Sequence, residues 1–405
     1  MTENKLIRRL SLSLLVFYGI GTILGAGIYV LIGKVASEAG LYAPFSFLFA
    51  SLLAGFSAFS YAELASRFPK SAGEAVYIEE SFAIKPLSIF VGLLIVLVGI
   101  VSVATLAHGF AGYFSVFFDF PEPLVVTLLI ISIGLVCAWG IGQSVTIAAV
   151  MTVVEIIGLL IILYVGRESF SLLPAKIPEM LPPLELSAWV GIVMGGFIAF
   201  YAYIGFEDIV NVAEEAIKPR VNIPLAIIIS LIVTTLFYIL ISLVAVVLIS
   251  PQELSASDAP LAMLYEKTTG QSPMLITAIS LISVMNGALI QVIMGSRVLY
   301  GMSARNWLPK KIGMINAKTH TPVVATALLT LLILFFAHTY SLLSLAKITS
   351  FITLVIFALI NFALLKIKLS GREHDGFSVY IWVPFVGGVS TLFFILYLTS
   401  IFLAQ

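Results

Sequence analysis

Two apolar segments of the chain contain glycines at a spacing that could bind a small charged molecule. The first segment carries Gly19, Gly21, Gly25 and Gly27 within nine residues. This spacing fits neither the dinucleotide-binding GxGxxG pattern nor a P-loop, so nucleotide binding is excluded. Two interpretations remain. Gly21 and Gly25 form a GxxxG pair that packs two helices closely, or the helix is interrupted here and its backbone binds a ligand.

The second segment combines glycine with charge. Gly195 and Gly196 precede Gly205, Glu207 and Asp208 in an otherwise apolar stretch. Two adjacent carboxylates near the middle of a membrane span are costly in lipid, so they must face protein or water. This segment therefore favours the binding-site interpretation for both glycine clusters.

A helix that is interrupted inside a membrane offers its backbone for binding. N–H groups at the N terminus of a half-helix attract a carboxylate, and carbonyls at a C terminus accept hydrogen bonds from an ammonium. Glycine has no Cβ and lets a ligand approach the backbone closely. This chemistry suits a zwitterion that carries both groups on one carbon, such as an amino acid.

A third feature is a carboxyl group deep in the fifth apolar segment. Glu155 lies roughly 16 Å along this helix at 1.5 Å per residue, near the middle of a hydrocarbon core of about 30 Å. Since no Lys or Arg is assigned to mid-membrane, we expect Glu155 to bind a proton, or Na⁺ with help from Ser280 or Ser283. Glu207 and Asp208 are the next candidates for ion coupling. The alternative is a neutral carboxyl group hydrogen-bonded to a neighbouring helix.

The composition defines the environment in which these residues act. Of 405 residues 60% are hydrophobic and 10% charged, and the mean hydropathy is +1.13. An ordinary soluble domain is about 25% charged, so a soluble protein is excluded. The net charge of zero argues against a nucleic-acid partner. The single cysteine, Cys137, cannot form an internal disulfide, and the histidines lack metal-ligand spacing, so we expect no cofactor.

A spanning helix needs about 20 mostly apolar residues, and the chain contains about eleven such segments. We therefore predict an all-α membrane protein with interrupted first and sixth helices. Because five spans separate the two interruptions, spans six to ten would repeat spans one to five in inverted orientation. The predicted units are a tail at 1–11, repeats at 12–165 and 188–365, and an eleventh span at 379–403. The predicted spans are 12–36, 43–65, 86–113, 124–139, 145–165, 188–212, 223–249, 273–294, 323–336, 342–365 and 379–403.

The distribution of positive charge predicts the orientation. With eleven spans, sixteen of the 21 Lys and Arg residues fall on the side of the amino terminus and four on the other side. Positive charge is concentrated in cytoplasmic loops. The sequence therefore predicts a multi-pass protein of the cell membrane with a cytoplasmic amino terminus and an external carboxyl terminus.

Four segments resemble, in order, the amino acid-polyamine-organocation (APC) family of transporters. These are Gly-Ile-Gly-Thr-Ile-Leu-Gly-Ala-Gly-Ile at 19–28, Tyr-Ala-Glu-Leu-Ala-Ser-Arg-Phe-Pro at 61–69, Tyr-Ile-Gly-Phe-Glu at 203–207 and Arg-Val-Leu-Tyr at 297–300. The resemblance runs from residue 12 to about residue 365. It implies a five-plus-five inverted-repeat fold that works by alternating access.

The resemblance also implies roles for individual residues. Backbone N–H groups of Ala26 and Gly27 would bind the substrate carboxylate. The aromatic ring of Tyr201 would close over the substrate from outside, although a simple packing role is the alternative. The carbonyls that would accept from the substrate ammonium are those of Ile23, Tyr201, Ala202 and Ile204. Gly25 and Gly205 complete the predicted substrate site.

Two departures from the family pattern bear on mechanism. Family members usually have twelve spans, and this chain has eleven. Some sodium-independent members carry a lysine in the fifth span, where this chain has Glu155. A lysine-based proton mechanism therefore does not transfer directly.

The resulting hypothesis is secondary active transport of an amino acid, coupled to protons. The aromatic cluster of Tyr201, Tyr203 and Phe206 favours a neutral or hydrophobic substrate. An exchanger or a Na⁺-coupled carrier is the closest alternative, and a channel or receptor is a further one. An intramembrane hydrolase is disfavoured, because Asp208 is the one clear intramembrane Asp and no GxSxG motif is present.

Polar residues near the ends of the spans are expected to have ordinary roles. Glu63 should pair with Arg67 one helical turn later, and the family match suggests an inner gate for it. His108 should cap or snorkel at the external end of its span. Glu215 and His374 are expected to be solvated in cytoplasmic loops.

Overall fold

The computed structural model describes residues 8–139 and 141–404, so residues 1–7 of the predicted tail lie outside the described residues. The described chain folds into seventeen α-helices without a β-strand. In chain order they are α1 Leu12–Ala26, α2 Ile28–Ala39, α3 Ala43–Arg67, α4 Gly73–Phe82, α5 Lys85–Phe114, α6 Glu122–Trp139, α7 Ile141–Val165, α8 Ser169–Met180, α9 Leu186–Tyr203, α10 Asp208–Asn211, α11 Pro219–Leu248, α12 Pro251–Ala256, α13 Pro260–Thr269, α14 Met274–Ala304, α15 Val323–Thr339, α16 Leu342–Leu369 and α17 Trp382–Ala404.

Length and hydropathy identify the membrane spans. Within the described residues, nine segments are long and apolar enough to cross a membrane. Two shorter apolar helices, Leu12–Gly25 and Val323–Thr339, bring the number of apolar segments to the predicted eleven. The all-α membrane fold is therefore confirmed. The largest error in the predicted bounds is at α14, which continues to Ala304 instead of ending at residue 294, because no Pro or Gly-rich turn stops the helix before Pro309.

The outer surface of the bundle is apolar. Leu135, Trp139, Val150 and Phe393 are each more than 60% exposed on outward faces of their helices. Such side chains would be costly over a large area in water, whereas lipid accommodates them. The chain is a multi-pass membrane protein.

Contacts between loops agree with the predicted alternation of sides. On the side predicted to be cytoplasmic, Arg305 forms an ion pair with Glu79 at 2.7 Å. On the opposite side, Lys34 Nζ donates to the Ser255 carbonyl at 3.2 Å. A single miscounted span between either pair of partners would place them on opposite sides of the membrane.

The first and sixth spans are both interrupted, as predicted. The first break is the single residue Gly27, which lies between α1 and α2. The second break comprises residues 204–207, between α9 and α10. Helix α1 packs against α7, α11 and α14, and α9 packs against α2, α3 and α16, so both breaks lie inside the bundle.

Candidate functional site

The two breaks are in direct contact with each other. A Cβ built on Gly27 would lie 2.3 Å from the Ala202 Cβ and 2.6 Å from the Ala202 Cα. Real Cβ atoms do not approach other carbon atoms this closely, so only glycine fits at the first break. The structure therefore brings Gly27 and Ala202, two of the predicted site residues, together.

A tyrosine from α11 joins the backbones of the two breaks. The Tyr238 hydroxyl lies within hydrogen-bond distance of the Ile23 carbonyl and, at 2.8 Å, of the Ala202 carbonyl, so that its one proton is shared between them. Its ring lies 5.1 Å from the Tyr203 ring and 5.5 Å from the Phe47 ring, centroid to centroid. The two carbonyls predicted to bind an ammonium thus converge on one polar atom. Tyr238 was not predicted, and its one signal in the sequence is that it is the single tyrosine of a largely apolar 30-residue helix.

The second break depends on glycine for its conformation. Gly205 has φ +133°, a value that other residues rarely adopt. Its N–H donates to the Glu207 carboxylate at 2.9 Å, and the Ile204 N–H donates to the Tyr201 carbonyl at 3.1 Å. The carboxylate of Glu207 therefore satisfies the backbone that the break exposes.

The remaining predicted substrate residues surround this contact. Ala26 is the last residue of α1, and the Gly27 N–H donates to the Leu24 carbonyl at 3.3 Å. Gly25 lies against α14, because a Cβ there would be 2.5 Å from the Ser283 carbonyl oxygen. Tyr201 is fully buried and its hydroxyl lies 3.1 Å from the Ser102 Oγ of α5.

A second polar group lies between α1, α7 and α14. The Asn286 Nδ2 donates to Glu155 Oε1 at 2.8 Å and to Thr152 Oγ1 at 3.0 Å. Gly21 makes this packing possible, since a Cβ there would be 2.1 Å from Thr152 Oγ1. The sequence analysis missed Asn286, which lies on the same face of α14 as Ser283, one turn later.

Several oxygens of this group have no hydrogen-bond partner within the described part of the chain. They are Glu155 Oε2, Asn286 Oδ1 and Ser283 Oγ, and all three side chains are buried. Ser280 differs, because its hydroxyl donates to the Ile276 carbonyl at 2.8 Å. Oxygens from α7 and α14 thus face a site where a proton or a small cation could bind, and Glu155 has no ion-pair partner among the described residues.

A cluster of carboxyl groups lies at the second break, on the side predicted to be cytoplasmic. Asp208 accepts a hydrogen bond from Gln291 Nε2 at 2.6 Å. Glu74 of α4 accepts from Asn211 Nδ2 at 3.1 Å, while Asn211 Oδ1 accepts from the Gly73 N–H. Burial, together with the neighbouring charge of Glu207, raises the pKa of Glu74 to about 8. Glu74 lies in a loop helix that the sequence analysis did not examine.

The predicted pair of Glu63 with Arg67 is confirmed, and Glu63 has further partners. Glu63 is fully buried and pairs with Arg67 at 2.7 Å, and its other oxygen pairs with Lys368 of α16 at 2.8 Å. The Val379 N–H also donates to it at 2.7 Å. The pair therefore joins α3, α16 and the segment before α17.

Three expectations for peripheral residues need correction or refinement. Glu215 is 4% exposed instead of solvated, because Arg9 and Leu10 bond to its carbonyl and cover it, and burial raises its pKa. His374 is partly buried beside Ser66, and burial lowers its pKa. His108 does more than cap, since its ring nitrogens lie 2.6 Å from Glu122 Oε1 and 2.9 Å from the Ala337 carbonyl oxygen.

Two interrupted helices that face each other inside a bundle of apolar helices are typical of secondary transporters. Residues 10–405 match the amino acid permease family. The chain therefore belongs to the amino acid permease family, and the membership predicted from its motifs is confirmed.

Named relatives are similar over most of the chain. Cationic amino acid transporter 3, mitochondrial, of Arabidopsis thaliana is 28% identical over 397 residues, which are 90% of this chain and 63% of the relative. The branched-chain amino acid permease BcaP of Bacillus subtilis (strain 168) is 26% identical over 413 residues, 96% of this chain and 87% of the relative. The methylthioribose transporter of the same species is 26% identical over 406 residues, which are 95% of this chain and 86% of the relative.

These comparisons bear on the kind of activity. All three relatives are named as transporters or permeases, in agreement with the prediction of a transporter instead of an enzyme. The chain spans somewhat less than two thirds of the length of the Arabidopsis relative.

Proposed function

We propose that this protein is a secondary active amino acid transporter that works by alternating access. The observation that carries the proposal is the convergence of the Ile23 and Ala202 carbonyls, one from each interrupted span, on a single buried point. Residues 12–165 and 188–365 are the two units that would move relative to each other. Each unit contributes one of the two breaks.

The backbone of the breaks would recognise the part that all amino acids share. The carbonyls of Ile23 and Ala202, with those of Tyr201 and Ile204, bind the ammonium. The N–H groups at the start of α2 bind the carboxylate, together with Ala26 and with Gly27, whose N–H would exchange the Leu24 carbonyl for the substrate. Because the backbone supplies these contacts, the surrounding side chains are free to select the substrate side chain.

Transport is coupled to a proton through Glu155 in this proposal. Its unpartnered Oε2, the Asn286 Oδ1 and the Ser283 Oγ are the oxygens that support it. Asn286, the partner of Glu155, packs against α1 at Gly21. A change in the charge of Glu155 would therefore act on α1, the half of the first span that ends at the break. Na⁺ binding by the same oxygens, or exchange without an ion, is the alternative.

A neutral or hydrophobic substrate fits the aromatic walls best. Phe206 packs 5.7 Å from the Tyr61 ring and 5.2 Å from the Phe357 ring, centroid to centroid. A cationic amino acid is the second candidate, since the buried Glu207 and Asp208 lie at the end of the second break and the Arabidopsis relative is named a cationic amino acid transporter.

The proposed location is the cell membrane, with the amino terminus in the cytoplasm. Single cysteines at Asn316 and Ser255, in a Cys137→Ala background, would report the orientation on intact cells. An impermeant thiol reagent should label position 255 and not position 316. The reverse pattern would mean that the chain lies in the membrane with the opposite orientation.

Counterflow in proteoliposomes tests the proposed activity. Vesicles that contain the purified protein and one unlabelled amino acid should accumulate the same labelled amino acid from outside, because a carrier exchanges across a closed barrier. Leucine and phenylalanine should exchange faster than lysine and arginine if the substrate is neutral, and the reverse order would favour the cationic candidate. Absence of exchange for every common amino acid would reject amino acid transport.

A further inference from the structure

The Tyr238 hydroxyl lies where the two breaks meet. Its single O–H proton is shared between carbonyls of both interrupted spans, Ile23 in α1 and Ala202 in α9. It also lies against the first break itself, since a Cβ on Gly27 would be 2.6 Å from the hydroxyl oxygen. Tyr238 is fully buried, so water does not share these bonds from the outside.

These carbonyls cannot be left without a donor at low cost. A buried polar group that loses its partner pays the full penalty of desolvation. The substrate ammonium supplies three N–H donors in the proposed function, and the same two oxygens are among its partners. The hydroxyl and the ammonium therefore compete for Ile23 and Ala202.

We propose that Tyr238 is a positioning residue that takes the place of the substrate ammonium when the carrier crosses between its two orientations without substrate. The inference rests on the proposed function. With substrate bound, the ammonium satisfies both carbonyls and the hydroxyl is dispensable. Without substrate, the hydroxyl keeps the two breaks joined, so the bundle reorients with its backbone satisfied.

This role makes a prediction that a purely structural role does not. Exchange uses only the substrate-loaded reorientation, whereas net efflux also needs the substrate-free return. Removal of the hydroxyl should therefore slow net efflux and spare exchange. A general defect in packing or stability would lower both rates by the same factor.

The experiment compares Tyr238→Phe with the wild-type protein in proteoliposomes. The probe is a tritiated mixture of the common L-amino acids, so that the substrate need not be known. Net efflux into buffer without amino acid should fall about tenfold, the effect expected from leaving buried carbonyls unpaired. Counterflow against the unlabelled mixture should stay within about twofold of wild type.

Tyr113→Phe is the matched control. Tyr113 is equally buried, and its hydroxyl donates at 2.6 Å to the Tyr29 carbonyl in α2, outside both breaks. This variant loses a comparable hydrogen bond but should keep the wild-type ratio of efflux to exchange. A change of that ratio in Tyr113→Phe equal to that in Tyr238→Phe would overturn the inference.

Two outcomes separate this inference from the proposed function. No counterflow by the wild-type protein rejects amino acid transport and the inference with it. Normal wild-type counterflow with an unchanged efflux-to-exchange ratio in Tyr238→Phe rejects the inference alone. If Tyr238→Phe is too unstable to reconstitute, thermal unfolding in detergent decides: the amino acid mixture should raise its Tm more than that of wild type, and an equal or smaller rise rejects the inference.

Discussion

The two interrupted spans satisfy the backbone groups at their breaks in different ways. The first break is one residue long, and its N–H still bonds to Leu24 within the helix. The second break is four residues long and needs the positive φ of Gly205. The carboxylate that satisfies the second break comes from Glu207 on the same span, whereas no charged group of the first span lies at Gly27.

Polar groups near the first break come instead from its neighbours. Thr152 of α7 and Asn286 of α14 meet α1 at Gly21, where Asn286 also bonds to Glu155, and Tyr238 of α11 meets α1 at Ile23. The first break is thus controlled by other helices, and the second carries its own charge. A substitution at the first break should act through contact, and one at the second through conformation and charge.

The largest expected effect is at the first break. Gly27→Leu should abolish uptake, and Gly27→Ala should nearly do so, because any Cβ meets Ala202 at 2.3 Å. Since the obstacle is a contact, Ala202→Gly should restore part of the uptake of Gly27→Ala. Gly55→Ala is the control, as its nearest neighbour would be 3.9 Å away. Wild-type uptake by well-expressed Gly27→Leu would remove the first break from the substrate site.

At the second break we expect a compensating substitution to restore less uptake than at the first break. Gly205→Ala should lower uptake strongly, since its Cβ would lie 2.6 Å from the Thr22 Cγ2 at φ +133°. Thr22→Ser removes that methyl group but leaves the contacts with the Thr22 Cβ at 2.9 Å and its carbonyl carbon at 3.1 Å. It also leaves the backbone strain, which costs about 1–3 kcal/mol. Uptake should therefore recover less than in the Gly27 pair. Full recovery in the Gly205→Ala, Thr22→Ser double variant would show that contact alone matters here too.

A smaller and more selective effect is expected at Glu155, behind the first break. Glu155→Gln keeps the shape and the bond to Asn286 but removes the titration. Uptake driven by a proton gradient should be lost, while amino acid exchange survives. Glu253→Gln, an exposed carboxylate paired with Lys267, is the control. Undiminished proton-driven accumulation in Glu155→Gln would move the coupling site to Glu207 or Asp208.

The fold was predictable from sequence because its causes are local. Apolar runs of about 20 residues have few alternatives to a spanning helix, and glycine clusters mark where two of them are interrupted. Gly27 and Gly205 were identified from these glycine clusters, and Ile23 and Ala202 from the resemblance to the APC family. The type and the spacing of the glycine residues mark the interruptions in the sequence itself.

The partners of these residues were not predictable in this way. Tyr238, Asn286 and Glu74 reach the breaks from helices that are distant in sequence, and each is a single polar residue without a motif. Their registers are set by packing, for which hydropathy gives no signal. Glu215 was wrongly predicted to be solvated for the same reason, because its own segment contains no signal that residues 9 and 10 pack against it.

The smallest effect concerns stability at the second break. Glu74 bonds to Asn211, the last residue of α10, and burial raises its pKa from an ordinary 4.5 to about 8. Between these values the folded protein keeps a proton that the unfolded chain has released, so stability falls as the pH rises through this window and levels off above it. Glu74→Gln removes the titration and keeps an acceptor for Asn211. Its Tm in detergent should match that of wild type near pH 5 and exceed it near pH 9. The corresponding gain in the free energy of unfolding is on the order of a few kcal/mol. Glu79→Gln, on the same helix but half-exposed and paired with Arg305, should show no such gain.

Parallel Tm curves for Glu74→Gln and wild type would mean that this carboxyl group is solvated in the folded protein. The charge of the second break would then be limited to Glu207 and Asp208.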